Sequence, residues 1–130
     1  MNLERVIFVG GTQDVQSYYR DASVSCLTST FEGWPLCLTE AQANGVVPIA
    51  FNCCAGVSEI LSPSGINGIL IPPFDKEKFA NELCGLLSSP DRIEQMRTEV
   101  LLKSQDYSMD IVGPKWSALF DLLLENNNSK

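Results

Sequence analysis

Residues 23–51 read SVSCLTSTFEGWPLCLTEAQANGVVPIAF and divide into an apolar strand, a polar loop, a helix and a second apolar strand. The runs at 23–27 and 46–51 are short, apolar and rich in β-branched residues, which is typical of buried strands. Residues 36–44 are good helix formers, Pro35 suits the position just inside the helix start, and Asn44-Gly45 is a typical helix end. This unit predicts two parallel strands joined by a crossover helix.

The alternation of strand and helix continues on both sides of this unit. Upstream, residues 6–9 form a continuous apolar run closed by two glycines, which predicts a first strand buried on both faces. Residues 15–22 carry apolar side chains at helical spacing and predict the next helix. Downstream, a short helix over 57–61 and a fourth strand over 68–71 extend the pattern. We therefore expect an α/β fold with a parallel, Rossmann-like sheet and flanking helices.

The last third of the chain has a purely helical pattern. Apolar residues at three-four spacing predict helices over 79–87, 93–101 and 116–123. Pro114 has no amide hydrogen to donate, so we expect the last helix either to start near Gly113 or to be kinked there.

Length and charge limit the classes of function. The chain has 130 residues and a formal net charge of −7, in the range of one ordinary soluble domain. We expect residues 1–125 to form one domain and residues 126–130 to be a disordered tail. The acidic balance argues against a nucleic-acid partner, because binding a phosphate backbone needs cations. The absence of histidine excludes a histidine general base and a histidine-containing zinc site.

The cysteines and the apolar runs indicate the cellular setting. Five cysteines occur, an odd number with no C-x-x-C spacing, and we expect buried free thiols rather than disulfides. The sequence shows no secretory signal pattern and no apolar stretch of about 18 residues, the minimum for a membrane-spanning helix. A cytoplasmic location is the expectation, and no metal site is expected because Asp-x-Asp spacing is absent.

The loop before the central helix, together with its first turn, carries groups suited to a ligand. Free amides of Leu36, Cys37 and Leu38 at the helix start would form an anion site for a diphosphate. Glu40 lies one turn further on the same face, where its carboxylate can accept two hydrogen bonds from a vicinal diol such as ribose. Glu32, across the loop, would hold sugar hydroxyls beyond the phosphates. A nucleotide sugar has these groups in this order.

The motif Glu32-Gly-Trp-Pro-Leu-Cys-Leu-Thr-Glu40 resembles the E-x7-E motif of the GT-B-fold retaining glycosyltransferases of family four, the glycosyl transferases group 1. The resemblance covers nearly the whole chain, with further matched segments at 8–10, 14–19, 55–60 and 67–73. It implies a transferase of the hexosyltransferase type, of which this chain is the C-terminal, donor-binding half, truncated at its N-terminal side.

The resemblance also implies roles for individual residues. Glu32 is then the catalytic residue facing the donor sugar, the amides near Leu36 and Cys37 meet the diphosphate, and Glu40 holds the ribose. The nucleotide base lies near residues 10–12. Gly33 lets the backbone approach the ligand, while Trp34 either walls the pocket or buries its indole in the core. The expected donor-binding residues are Gly10, Gly11, Thr12, Glu32, Gly33, Trp34, Leu36, Cys37, Leu38 and Glu40.

Parts of the family pattern have no counterpart in this sequence. Family members bring an Arg and Lys pair to the diphosphate from upstream, together with an acceptor-binding N-terminal half. We expect the chain alone to be inactive, because stabilising the transition state needs those cations and both sides of the cleft. The nucleoside diphosphate sugar and the missing half are the expected partners, and any peripheral membrane association would run through that half. A sheet edge left exposed by the missing strands would favour self-association.

The motifs argue against other classes of α/β protein. A phosphoacceptor receiver domain needs acidic residues after its first strand, and Gly10-Gly11 stands there. A dinucleotide-binding unit needs G-x-G-x-x-G, and a nucleotide triphosphatase needs a P-loop; neither motif occurs. A non-catalytic nucleotide-binding or protein-interaction module with the same fold stays open, since fold does not fix activity.

Overall fold

The structure, a computed structural model, describes residues 5–128, and the strands in this range form one parallel sheet. The elements are α1 (Val15–Asp21), β1 (Val24–Leu27), α2 (Leu36–Ala43), β2 (Val47–Phe51), α3 (Ala55–Leu61), β3 (Ile69–Ile71), α4 (Lys76–Leu87), α5 (Pro90–Ser104), a 3-10 turn (Gln105–Tyr107) and α6 (Met109–Asn128). Their order confirms the predicted α/β class.

The sheet has the order β1-β2-β3, with β2 in the centre and buried along its whole length. Val24 of β1 pairs with Val47, and Ile49 of β2 pairs with Ile69, in both cases in parallel. The continuous apolar sequence of β2 follows from this position, because a central parallel strand is covered on both faces.

Alternate residues of β2 face two separate helical layers, as the two-residue period of a strand requires. Ile49 and its neighbours on that face pack against Phe79 and Leu86 of α4 and Met96 of α5. Ala50 on the opposite face packs with Leu38 of α2 and with Val57, Ile60 and Leu61 of α3. The sheet is therefore enclosed by α4 and α5 on one side and by α2 and α3 on the other.

The predicted first strand over residues 6–9 is wrong. These residues form no strand, and Ile7 and Phe8 are 84% and 88% exposed. A strand needs a neighbouring edge and a covering layer, and α1 contributes no buried residue that could cover a crossover onto β1.

The helix ends differ in detail from the expectations. Pro35 is the N-cap of α2, with φ −75° and ψ 95°, rather than its first helical residue. Helix α6 begins at Met109, so Pro114 lies inside it. Residues 126–128, expected in a disordered tail, belong to α6, while residues 129 and 130 lie outside the described range. Among residues 5–128, no helix combines the length and apolar character that crossing a membrane requires.

Candidate functional site

The candidate site lies where β1 ends and α2 begins. Ligands of open α/β sheets bind beyond the carboxyl ends of the strands, and residues 28–35 form the loop that leaves β1 at that edge. This loop consists largely of small polar residues, glycine and proline, which favour turns over continued pairing. It delivers the chain directly to the N-terminus of α2.

The first turn of α2 supplies two of the three predicted amide donors. The amides of Leu36 and Cys37 stand at positions that have no acceptor within the helix. The expectation for Leu38 is wrong, because its amide donates to the Pro35 carbonyl at 3.0 Å and its side chain is fully buried. The Leu38 amide, expected to bind a ligand, thus has its acceptor within the protein, in the Pro35 carbonyl.

The two glutamates lie on either side of this first turn. Glu40 is exposed and Glu32 is partly buried. Burial raises the pKa of the Cys37 thiol, and the negative charges of Glu32 and Glu40 raise it further. Both carboxylates are therefore close enough to Cys37 for their charges to act on its thiol.

Tyr19 of α1 connects to this turn from the side. Its single O–H hydrogen is shared between the Cys37 carbonyl oxygen at 3.1 Å and Oε2 of Glu40 at the longer distance of 3.4 Å. Burial raises the pKa of Tyr19 to about 12, and the negative charge of Glu40 contributes in the same direction. The phenol therefore remains a hydrogen-bond donor throughout the neutral range.

A cavity of about 300 Å³ adjoins Tyr19. It is lined by Val9, Gly10, Thr12, Val15, Tyr18 and Tyr19. Tyr19 therefore contacts both this cavity, which Gly10 and Thr12 line, and the Glu40 carboxylate. The structure brings these two predicted parts of the site into one neighbourhood, although the residues before the loop form no strand.

The Gly33-Trp34 part of the loop rests on α3. The Cys54 thiol donates to the Gly33 carbonyl at 3.8 Å, and a Cβ on Gly56 would lie only 2.5 Å from that carbonyl oxygen. Position 56 therefore requires glycine, because the backbone of Gly33 leaves no room for a side chain there. A Cβ on Gly33 would meet no atom within 4 Å, so the space on this side of Gly33 is open.

Trp34 contacts Tyr107 edge to face, with the ring centroids 5.4 Å apart. The indole is 44% exposed. It is therefore not buried in the core, and a role as a wall of the ligand pocket stays a prediction. Tyr107 in turn lies under the Lys103 ammonium, which is 5.3 Å from the ring centroid.

Sequence reasoning missed the hydroxyl of Tyr19 and the support from Tyr107. Tyr19 was assigned by its spacing to an apolar helical face, and spacing carries no information on where a hydroxyl points. Tyr107 is distant in sequence from the loop it supports, and no local pattern indicates the contact. Within residues 5–128, no group of three or more His, Cys, Asp or Glu side chains is arranged to hold a metal ion.

The fold and this loop-to-helix site define a class of protein. Three parallel strands flanked by helices, with the site at the carboxyl edge, form a Rossmann-like half of the GT-B type. The family model described as "Glycosyl transferases group 1" matches residues 1–89. The chain belongs to this family.

Individual relatives agree with the family assignment. An uncharacterized glycosyltransferase of Haemophilus influenzae is 34% identical over 116 residues, which cover 89% of this chain and 33% of the relative. The amylovoran biosynthesis glycosyltransferase AmsD of Erwinia amylovora is 27% identical over 118 residues, covering 91% of this chain and 33% of the relative. The chain thus spans about a third of these relatives. The crystal structure of TarM superposes with a TM-score of 0.80 at 26% identity, over 92% of this chain and 24% of TarM.

Proposed function

We propose that the chain binds a nucleoside diphosphate sugar as the donor part of a retaining glycosyltransferase, which transfers the sugar to an acceptor held elsewhere. The observation that carries this proposal is the arrangement around Cys37. Two first-turn amides are flanked by Glu32 and Glu40, and Glu40 meets the tyrosine that walls a 300 Å³ cavity. Membership of a glycosyltransferase family supports the same class of reaction.

Each part of such a donor has a matching group. The cavity beside residues 10–12 suits a nucleotide base, and Glu40 at its border suits the ribose diol. The amides of Leu36 and Cys37, with the α2 dipole behind them, suit the diphosphate. Glu32 and the open side of Gly33 suit the sugar.

The chemistry assigned to this part of the enzyme is electrostatic. Transfer breaks the bond between the anomeric carbon and the diphosphate oxygen, which leaves with the electron pair, and forms a bond to the oxygen of the acceptor hydroxyl, whose proton passes to the departing diphosphate. Amides fixed at the α2 N-terminus would stabilise the charge that develops on the departing diphosphate. Glu32 would orient the sugar against them. Since two amides offer limited stabilisation, we expect the chain alone to bind donors without transferring the sugar, and to need no cofactor or metal for binding.

The test compares nucleotides with and without the ribose 2′-hydroxyl. Calorimetry on UDP, GDP and ADP identifies the nucleotide with the highest affinity, and its 2′-deoxy form is then measured on parent and Glu40→Ala. We expect Glu40→Ala to weaken the ribonucleotide about tenfold and to abolish most of its advantage over the deoxy form.

Glu99→Ala is the matched control, because Glu99 is an exposed carboxylate within α5. It should leave both affinities at the parent values. Equal affinities in Glu40→Ala and parent would contradict the ribose assignment. Nucleotide binding without any transfer by a protein that includes an acceptor-binding half would instead favour a non-catalytic binding module.

A further inference from the structure

The Tyr19 hydroxyl is the only polar group of α1 that the described contacts join to the E-x7-E segment. We propose that Tyr19 is a positioning residue, whose hydroxyl fixes the Glu40 carboxylate in the orientation that receives the ribose hydroxyls. This inference rests on the proposed function, because it gives Tyr19 a role in the site proposed to hold the ribose.

The geometry separates Tyr19 from an ordinary packing tyrosine. Helix α1 contributes no buried residue, so the position of α1 does not depend on a place in the core. The Tyr19 hydroxyl contacts both the Cys37 carbonyl in the first turn of α2 and the Glu40 carboxylate one turn later. A single hydroxyl therefore ties the α2 backbone and the Glu40 side chain to one point.

An exposed glutamate needs such a constraint if it is to hold a diol. Its side chain has several rotatable bonds, and fixing them on ligand binding costs conformational entropy. A donor at Oε2 restricts these bonds before the ligand arrives. The two carboxylate oxygens together offer about four acceptor positions, so one hydrogen bond from Tyr19 leaves acceptors for two ribose hydroxyls.

The same side chain also lines the cavity assigned to the base. Tyr19 therefore adjoins both that cavity and the Glu40 carboxylate, which is proposed to accept hydrogen bonds from the ribose. Its phenol is protonated across the neutral range already at the ordinary tyrosine pKa of 10.0, and burial and the charge of Glu40 raise the pKa of Tyr19 to about 12, which extends the protonated range to alkaline pH. The constraint on Glu40 therefore persists wherever the protein is handled near neutral pH.

The experiment measures ribose discrimination in Tyr19→Phe, which keeps the ring and removes the hydroxyl. The readout is the ratio of calorimetric affinities for the best-bound of UDP, GDP and ADP over its 2′-deoxy form. We expect this ratio to fall at least about threefold, while affinity for the deoxy form stays within about twofold of the parent. Ser88→Ala is the control, since it removes a hydroxyl at the C-terminal cap of α4, on the opposite face of the sheet from α2, and should leave the ratio unchanged.

The outcomes separate this inference from the proposed function. If Glu40→Ala lowers the ratio and Tyr19→Phe does not, or if Tyr19→Phe weakens both nucleotides equally, Tyr19 is structural and the inference is wrong. If Glu40→Ala keeps the parent ratio, or no nucleotide binds, the proposed function fails instead.

A measurement without ligand tests the contact itself. Ring-carbon NMR of the tyrosines should show one phenol titrating at about 12, absent from Tyr19→Phe and shifted to lower pH in Glu40→Gln. The shift is expected because the substitution removes a negative charge next to the phenol. An unchanged titration in Glu40→Gln would overturn the inference independently of any nucleotide.

Discussion

At the scale of residues, the spacing of Glu32 and Glu40 predicts only that one lies in the loop and the other on the helix. The structure adds that the charges of both raise the pKa of the Cys37 thiol, while their roles toward a donor stay a prediction. The amide of Leu38 could not be assigned in the same way. Its bond to the Pro35 carbonyl depends on the backbone angles of the cap, and these follow from packing of the loop rather than from a local pattern.

Thiol reactivity tests the placement of the two glutamates. The charge of Glu32 raises the pKa of both Cys37 and Cys53, whereas that of Glu40 raises the pKa of Cys37 and is not among the causes for Cys53. Because the thiolate is the reactive form, Glu32→Gln should speed alkylation of both cysteines, and Glu40→Gln that of Cys37 alone. Iodoacetamide labelling at pH 8, followed by peptide mass spectrometry, measures the rates. An unchanged Cys37 rate in both variants would contradict the arrangement.

The phenol of Tyr19 predicts a stability change at alkaline pH. Its pKa in the folded protein is about 12 against an ordinary value of 10.0. A raised folded pKa stabilises the protein below the unfolded pKa and loses that contribution as pH rises through the folded value. The excess stability of parent over Tyr19→Phe should therefore shrink between about pH 10 and 12. Urea unfolding at several pH values measures it, and a constant difference would speak against the shift.

At the scale of elements, the apolar run over residues 6–9 shows where local pattern fails. Hydrophobicity identifies a strand only when a neighbouring edge and a covering layer exist, and both are properties of the assembled sheet. The central strand β2 was correctly predicted because it has both.

Matched phenylalanine substitutions check this distinction. Phe8 is 88% exposed, and Phe8→Ala should change the free energy of unfolding by less than about 0.5 kcal/mol. Phe79 is 8% exposed within the α4 layer, and Phe79→Ala should cost about 3–5 kcal/mol. Chemical denaturation measures the change in the free energy of unfolding for both variants. If Phe8→Ala cost nearly as much as Phe79→Ala, Phe8 would be buried, as the predicted strand requires.

The contact between the loop and α3 leads to a paired glycine prediction. A Cβ at Gly56 would lie 2.5 Å from the Gly33 carbonyl oxygen, so Gly56→Ala should destabilise the fold by about 1–3 kcal/mol and weaken nucleotide binding through the displaced loop. Gly85 in α4 has nothing within 4 Å of the same position, and Gly85→Ala should stabilise by about 0.5–1 kcal/mol. Thermal unfolding measures the stability of both variants, and calorimetry measures their affinity for nucleotide. Equal effects of Gly56→Ala and Gly85→Ala would contradict the close approach of Gly56 to the Gly33 carbonyl.

At the scale of the whole molecule, the sequence was sufficient for the fold class. Alternating apolar runs and helical periods predicted β1, β2 and β3 and the helices around them. Self-association through the open edge of β1 stays a prediction. Contacts between distant segments, such as Tyr19 with α2 and Tyr107 with Trp34, were not predictable, because they arise only when the sheet brings its loops together.

Amide chemical-shift mapping with UDP, GDP and ADP tests the central claim most directly. One nucleotide should shift the amides of residues 10–12 and 31–40 together and at the same concentration, because base, ribose and diphosphate would engage the cavity, Glu40 and the α2 N-terminus at once. Shifts confined to other surfaces, or no shifts with any of the three nucleotides, would contradict the account.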